Sequence, residues 1–352
     1  MMKVKRFFAM FLALLMFAGL FTPVRAQAAT SGKCGKNVKW SWDGKGTLTI
    51  SGTGAMKNYL MDPEAQTVNY PWWDFHNEIK KVVVKEGVTT IGANAFAYIG
   101  YEKNTGKLTP WALTLPDGLK KIGLGACSFS GVDKIVIPDS VTEIGNQSFL
   151  ACQLAKSVKI SKGLTEIPEG AFESCIGLKT LVIPKGVEII EVFAFSFCDS
   201  LESITIPASV KEIGKWAFLS DQGNRPQWVC FKGTQAAWSK LIDNDSNDYE
   251  DNMLTSAGKL YCKPGISKQP VKKTVKAGKK VTFTVQAEGT GLSYQWQYRK
   301  PGTSEWVNVV KNGKSASYSL TVKARHNGYI YRCKVSNKAG TTITKTAKLT
   351  VQ

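Results

Sequence analysis

The residues on which chemistry could rest are few. The chain has two histidines, His76 and His326, and eight cysteines. It also has one acidic run, Asp243-Asn244-Asp245-Ser246-Asn247-Asp248. Two histidines leave little room for imidazole acid–base catalysis or a His-rich metal centre. A zinc site would need a CxxC pair or His partners at ligand spacing, and neither exists. The acidic run opens like a calcium loop, but Asp248 stands where the sharp turn needs Gly. Leu254 stands where a bidentate Glu belongs, so the run reads as a solvated acidic loop. There is no HExxH, GxSxG or phosphate-cradling Gly-rich loop, and no carboxylate spacing singles out an acid–base pair. The expectation is binding rather than catalysis, with no cofactor.

The cysteines divide by position. Cys152, Cys175 and Cys198 recur every 23 residues and should stack as buried, free thiols, small apolar side chains in a core ladder. Cys230 and Cys262 lie in apolar strands bracketing one segment and form the candidate disulfide. Cys34 has no evident partner.

That 23-residue recurrence belongs to a longer pattern. The unit Val/Leu-x-x-Ile-(Gly)-x-x-Ala-Phe occurs six times, ending at Phe96, Cys127, Phe149, Phe172, Phe195 and Phe218. The intervals are 31, 22, 23, 23 and 23 residues, and the first holds an insertion within 98–111. Before the copies lie short alternating strands such as Ile135-Val136-Ile137 and Ile204-Thr205-Ile206, whose first and third residues should face inward. One coil cannot bury its apolar face alone, but stacked coils make a continuous core, so the pattern predicts a solenoid.

On this unit the sequence resembles the BspA-like leucine-rich-repeat surface proteins. The resemblance extends to Gly46-Thr47-Leu48-Thr49-Ile50-Ser51-Gly52-Thr53-Gly54-Ala55-Met56, similar to that family's N-terminal hairpin, and to Pro71-Trp72. It also takes in Val229-Cys230-Phe231-Lys232-Gly233-Thr234 with Trp238, similar to the segment that closes such arrays. The departures are Cys127 for Phe, Ser161 for Pro and Glu191 for Gly. The resemblance implies a bacterial surface protein whose array binds proteins or host matrix, with no catalytic residue.

After Cys262 the rhythm changes to longer alternating strands with Gly-containing turns, the pattern of a β-sandwich. This stretch looks like an immunoglobulin-like domain, with Trp296 as its buried tryptophan and Tyr331 two residues before Cys333. Val285 occupies the position that would pair with Cys333, which leaves a lone buried thiol.

The N-terminus has Lys3, Lys5 and Arg6, an apolar run over 7–21 and Ala26-Gln27-Ala28, the parts of a secretory signal peptide. No later segment has the ~18 apolar residues a spanning helix needs. The expected organisation is a signal peptide at 1–28, a hairpin cap at 29–80 and repeats at 81–219. A closing segment at 220–262 and an immunoglobulin-like domain at 263–352 follow. The fold class is mainly β, and the product is expected to be secreted or cell-surface associated.

Charge separates these parts. Of a formal +19, the first 28 residues contribute +4, residues 29–262 net −1 and residues 263–352 net +16. Glu288 and Glu305 are the only acids of the tail. Lys268, Lys272, Lys273, Lys276, Lys279 and Lys280 crowd its first two strands, and Arg325, Arg332, Lys334 and Lys338 lie near its sixth. These ten are the polyanion-binding candidates, suited to an anionic cell-wall polymer or a glycosaminoglycan. Nucleic acid ranks last, because export removes the opportunity. For a protein or extracellular-matrix ligand, the candidates are the outward strand column Val83, Thr114, Val136, Lys159, Val182 and Thr205, small and weakly charged. Tyr98, Tyr101 and Trp111 of the insertion are the second set, as loop aromatics available for contact. Trp72 and Trp73 read as cap core.

Overall fold

The computed structural model describes residues 30–220, 223, 226–242 and 252–352. The expected signal peptide and the acidic run at 243–248 lie outside these residues. The chain is mostly β, a leucine-rich-repeat solenoid followed by an immunoglobulin-like domain.

Strands Ser31–Lys33, Gly35–Trp42 and Thr47–Met56 form an antiparallel meander. The last then pairs in parallel with Lys81–Val84, so the meander becomes the first layer of the array. Its open side is filled by aromatic rings. Trp72 is fully buried, stacked on Tyr70 at 5.0 Å and edge-on to Trp40 at 5.9 Å. Trp73 is half-buried and lies flat on the His76 ring at 4.1 Å. Burial holds the His76 imidazole below its ordinary pKa.

Each coil contributes two short strands. The first set runs parallel with in-step registers, Val83 to Thr114, Val136 to Lys159 and Val182 to Thr205. The second set stacks Ile91, Ile122 and Ile144, then Ile167, Ile190 and Ile213, all buried. Alternation explains the faces: Ile135 and Ile137 are buried while Val136 between them is exposed. Behind the strands the phenylalanines stack face to face, Phe149 on Phe172 at 5.5 Å, Phe172 on Phe195 at 5.3 Å and Phe195 on Phe218 at 5.4 Å.

The turn carrying each Ala-Phe pair begins with a left-handed residue: Asn94, Gly125, Gln147, Gly170, Phe193 and Trp216 all have φ between 55° and 59°. This turns the following N–H groups toward the next coil, where Phe149 donates to Ala171 O, Phe172 to Ala194 O and Phe195 to Ala217 O. Buried backbone donors are thereby satisfied between coils rather than within one. Glycine meets that conformation at Gly125 and Gly170 without strain.

The array ends in strands Trp228–Phe231 and Leu260–Cys262, joined in parallel to Ser203–Ile206. Helix Gln235–Ile242 covers this end, burying Trp238 and Leu241. The ring of Trp238 packs on Phe231 at 5.4 Å, and Thr234 Oγ1 caps the first turn by accepting from Ala237 N at 3.2 Å.

In the tail, strands Lys273–Val275, Ala347–Val351, Ile330–Asn337, Ser293–Arg299 and Val307–Asn308 form one sheet. Gly340–Ile343 pairs with Ile330–Asn337 in the same sheet. Lys280–Thr284 pairs with Ser317–Thr321 in the other layer. Trp296, Cys333 and Val285 are buried together, and Trp296 Nε1 donates to Ser315 O at 2.9 Å. Cys333 is a free thiol opposite Trp296 in the ladder.

Candidate binding surfaces

The outward column of the first strand set is made of three paired segments, Val83 with Thr114, Val136 with Lys159 and Val182 with Thr205, and is mixed in exposure. Val182 is 60% exposed and Val136 37%, Thr114 and Lys159 are exposed, and Val83 and Thr205 are half-buried. Its one charge is paired: Lys159 Nζ lies 3.2 Å from Asp139, a carboxylate shared with Lys162. Those contacts, with the backbone N–H of Lys162, hold the Asp139 carboxyl below its ordinary pKa. The column is longer than the six residues read from the repeats. Thr49 precedes Val83, and Cys230, itself covered at 2% exposure, and half-buried Tyr261 follow Thr205. Alternation in Val229-Cys230-Phe231 and Leu260-Tyr261-Cys262 was the signal for these last two.

The second strand set presents a different outward column: Lys121 beside Glu143, then Glu166, Ile189 and Glu212. Lys121 pairs with Glu143, and Lys211 Nζ reaches Glu188 at 2.6 Å. Glu191, the residue in place of glycine, is pushed up in pKa by burial and by Glu166 and Glu212.

The insertion does not present three aromatics. Tyr98 and Trp111 are 3% and 1% exposed, so both belong to the core. Tyr98 stacks on Phe129 at 5.2 Å. Trp111 packs edge-on against Phe96 at 6.4 Å and donates Nε1 to Ile99 O at 3.0 Å. The physical reason is its backbone, which bridges in parallel to Val132 and so seats the ring against Phe96 in the core. Tyr101 alone is half-exposed. It sits on a small hairpin, Tyr101–Glu102 with Lys107–Leu108, tied to the cap hairpin Met61–Asp62 with Thr67–Val68. Gln66 Nε2 reaches Tyr101 Oη at 3.3 Å and Lys103 Nζ donates to Ala65 O at 2.6 Å.

Nor do Cys230 and Cys262 form the expected bridge. Both are free, and the register explains why. Cys230 stands opposite Thr205 and Tyr261 on the outward face, whereas Cys262 stands opposite Phe231 in the core. In the repeats, Cys152, Cys175 and Cys198 donate Sγ–H to Cys127 O, Phe149 O and Phe172 O, each at 3.2 Å. Burial pushes the thiols of Cys262 and Cys333 up to about 11, and that of Cys34 to about 12.

The ten tail cations are not one patch. Lys276, Lys279, Lys280 and Arg325 meet at one end, where Gly278 N donates to Val322 O and Val322 N to Lys279 O. Arg332 and Lys334 lie on the outer face of the larger sheet, half-exposed. Lys338 is at the opposite end of strand Ile330–Asn337 from Arg325, ~24 Å of extended chain away. There its Nζ lies 4.6 Å from the Trp228 ring and 5.2 Å from Tyr261. Lys268 lies on the edge strand Gly265–Lys268, Lys272 is exposed, and Lys273 is half-buried. Arg299 and Trp306 were missed by counting charges: Arg332 lies 3.9 Å over the Trp306 ring and Arg299 5.2 Å over it.

Among the described residues no helix is long and apolar enough to cross a membrane, and no three His, Cys, Asp or Glu converge on one point.

Comparison with known families agrees with this geometry. Residues 99–224 match the BspA type leucine rich repeat region in six copies, and residues 264–351 match the immunoglobulin I-set domain. A leucine-rich repeat protein from Bacteroides ovatus is similar at 20% identity and a TM-score of 0.35, covering 55% of this chain and 59% of that one. The chain thus spans less than two thirds of that protein's length. A leucine rich cell surface protein from Faecalibacterium prausnitzii is similar at 16% identity and 0.29, covering 63% and 98%. Extracellular domains 3–5 of Drosophila OTK are similar at 19% identity and 0.21, covering 27% of this chain and 33% of that one. No curated protein matches. Repeats and immunoglobulin-type domains of these kinds are typically non-catalytic modules for protein interaction.

Proposed function

We propose that this chain, a BspA-type repeat region joined to an I-set immunoglobulin domain, is an exported, surface-associated adhesin-like protein without catalytic activity. The repeat array docks a protein or extracellular-matrix ligand on its first strand column, and the basic tail holds the chain on an anionic cell-wall polymer or glycosaminoglycan. The observation that carries the reading is the column itself: Val83, Thr114, Val136, Val182 and Thr205 present uncharged side chains from successive paired strands, and Lys159, its one charge, pairs with Asp139. A flat stripe on a rigid array suits a broad partner surface. Organisation into a signal peptide, cap, repeats, closing segment and tail belongs to the same proposal.

A carbohydrate-binding or enzymatic alternative would draw on the cleft of about 410 Å³ that Glu143 and Glu166 help to line. Lys121 occupies the Glu143 carboxylate, which weakens that alternative.

The test is a pull-down of matrix proteins by the chain from residue 30 onward, comparing the parent with Val136→Glu/Val182→Glu. Reduced capture by a variant of unchanged unfolding midpoint supports the column. Unaltered capture removes the column from consideration.

A further inference from the structure

The outer face of the tail's larger sheet holds two guanidiniums against one indole. Arg299 and Arg332 lie diagonally on neighbouring strands, because Gln297 pairs with Arg332 and Arg299 with Ile330. Both stand over Trp306, at 5.2 and 3.9 Å. Arg332 is fixed further: its Nε donates to Gln297 Oε1 at 2.9 Å, and Gln297, 7% exposed, donates Nε2 to Asn308 Oδ1 at 2.9 Å. Among the described residues neither the terminal nitrogens of Arg332 nor any side-chain nitrogen of Arg299 has a hydrogen-bond acceptor. Every ion pair among those residues lies in the repeats, so Glu305, next to Trp306, makes an ion pair with neither arginine. Burial and the neighbouring Arg299 charge hold the Arg332 guanidinium below its ordinary pKa. Two like charges are therefore kept together and pre-oriented, with their donors unused.

We infer that Arg299, Trp306 and Arg332 form an oxyanion site that takes the phosphates of a phosphodiester polymer. This rests on the polymer-holding role proposed above for the tail and names where in the tail it resides. A guanidinium offers a planar fork of N–H donors matched to the two non-bridging oxygens of a phosphodiester. A stacked guanidinium loses less freedom on binding because the ring and Gln297 already fix it. The indole carries the arginines, so it offers no stacking platform for a nucleobase. The phosphates alone are read. Lys334, two residues along the same strand, extends the positive face, and the tail's excess charge draws the polymer in.

The experiment measures binding of the chain from residue 30 onward to poly(glycerol phosphate), heparin and single-stranded DNA of matched charge, at 0.15 M salt. The expected result is that Arg299→Gln/Arg332→Gln weakens poly(glycerol phosphate) binding at least tenfold. Arg332→Lys, which keeps the charge, should lose at least threefold. Lys279→Gln/Lys280→Gln, which removes the same charge from the other layer of the sandwich, should lose less than threefold. Unchanged unfolding midpoints establish that all variants fold. If the lysine pair matters as much as the arginine pair, diffuse charge holds the polymer: the site is overturned and the retention role stands. If heparin or DNA binds tighter than poly(glycerol phosphate), the phosphodiester assignment by phosphates alone is overturned. If the parent binds none of the three, the site and the retention role fall together.

Discussion

The side-chain amide of Asn337 in the tail donates to the main-chain carbonyl of Cys262 at 2.8 Å, across the boundary between repeats and tail. The same amide reaches Thr290 O at 3.1 Å, while Oδ1 accepts from Ala339 N and Gly340 N at 2.9 and 3.3 Å. Thr342 Oγ1 donates to Pro264 O at 2.6 Å and Lys232 Nζ to Lys338 O at 2.7 Å. Lys338 also sits over Trp228 and Tyr261, where the outward column ends. The joint is thus tied by directional bonds.

Asn337→Ala removes four of those bonds, each worth about 1 kcal/mol net. The variant should be cut faster by protease near 263–265 and lower the tail's unfolding free energy by about 2–4 kcal/mol. Limited proteolysis with tail-reported denaturation checks both, and a parent-like cutting rate would show that the amide does not tie the joint.

All eight cysteines are free and buried, so a thiol reagent at neutral pH should find almost none in the native chain and eight after denaturation without reductant. A count of six after denaturation would mean a bridge that the strand registers at Cys230 and Cys262 forbid.

The raised thiol pKa values fix a pH dependence. Burial stabilises the protonated thiol, so the folded state binds more protons than the unfolded chain above ~8.5. The contribution is complete below that pH and is lost as pH rises toward about 11 for Cys262 and Cys333 and about 12 for Cys34. Denaturation midpoints should fall between pH 9 and 11, and Cys333→Ala should show a shallower fall than the parent.

Phe172 has no exposed surface and is stacked between Phe149 and Phe195. Phe172→Ala should cost about 3–5 kcal/mol through lost burial and the cavity left in the stack. Val182→Ser, on the exposed column, should stay within about 0.5 kcal/mol. Urea denaturation of the two variants distinguishes a core position from a binding face, and equal losses would contradict the assigned faces.

Legibility followed periodicity. Ile135, Ile137, Leu181 and Ile183 declared their burial by alternation, and Val136 and Val182 declared their exposure, because a strand's faces are set within three residues. Trp111 gave no such signal. It sits in an insertion, and its burial depended on the bridge to Val132 and the packing on Phe96, both outside its own segment. Cys230 and Cys262 looked alike in two apolar strands, and only the pairing register revealed that they occupy opposite faces.

The sequence by itself determined the coil repeat, the inward residues of each coil, the sandwich pattern of the tail and the separation of charge between them. These follow from local rules: a period, an alternation, a count of cations. Tertiary structure alone decided that Tyr98 and Trp111 are core, that the ten tail cations are spread along the domain, and that Arg299 and Arg332 share Trp306. It also placed Asn337 against Cys262. Each of those depends on residues brought together from distant segments, and packing rather than spacing chooses which side chains meet.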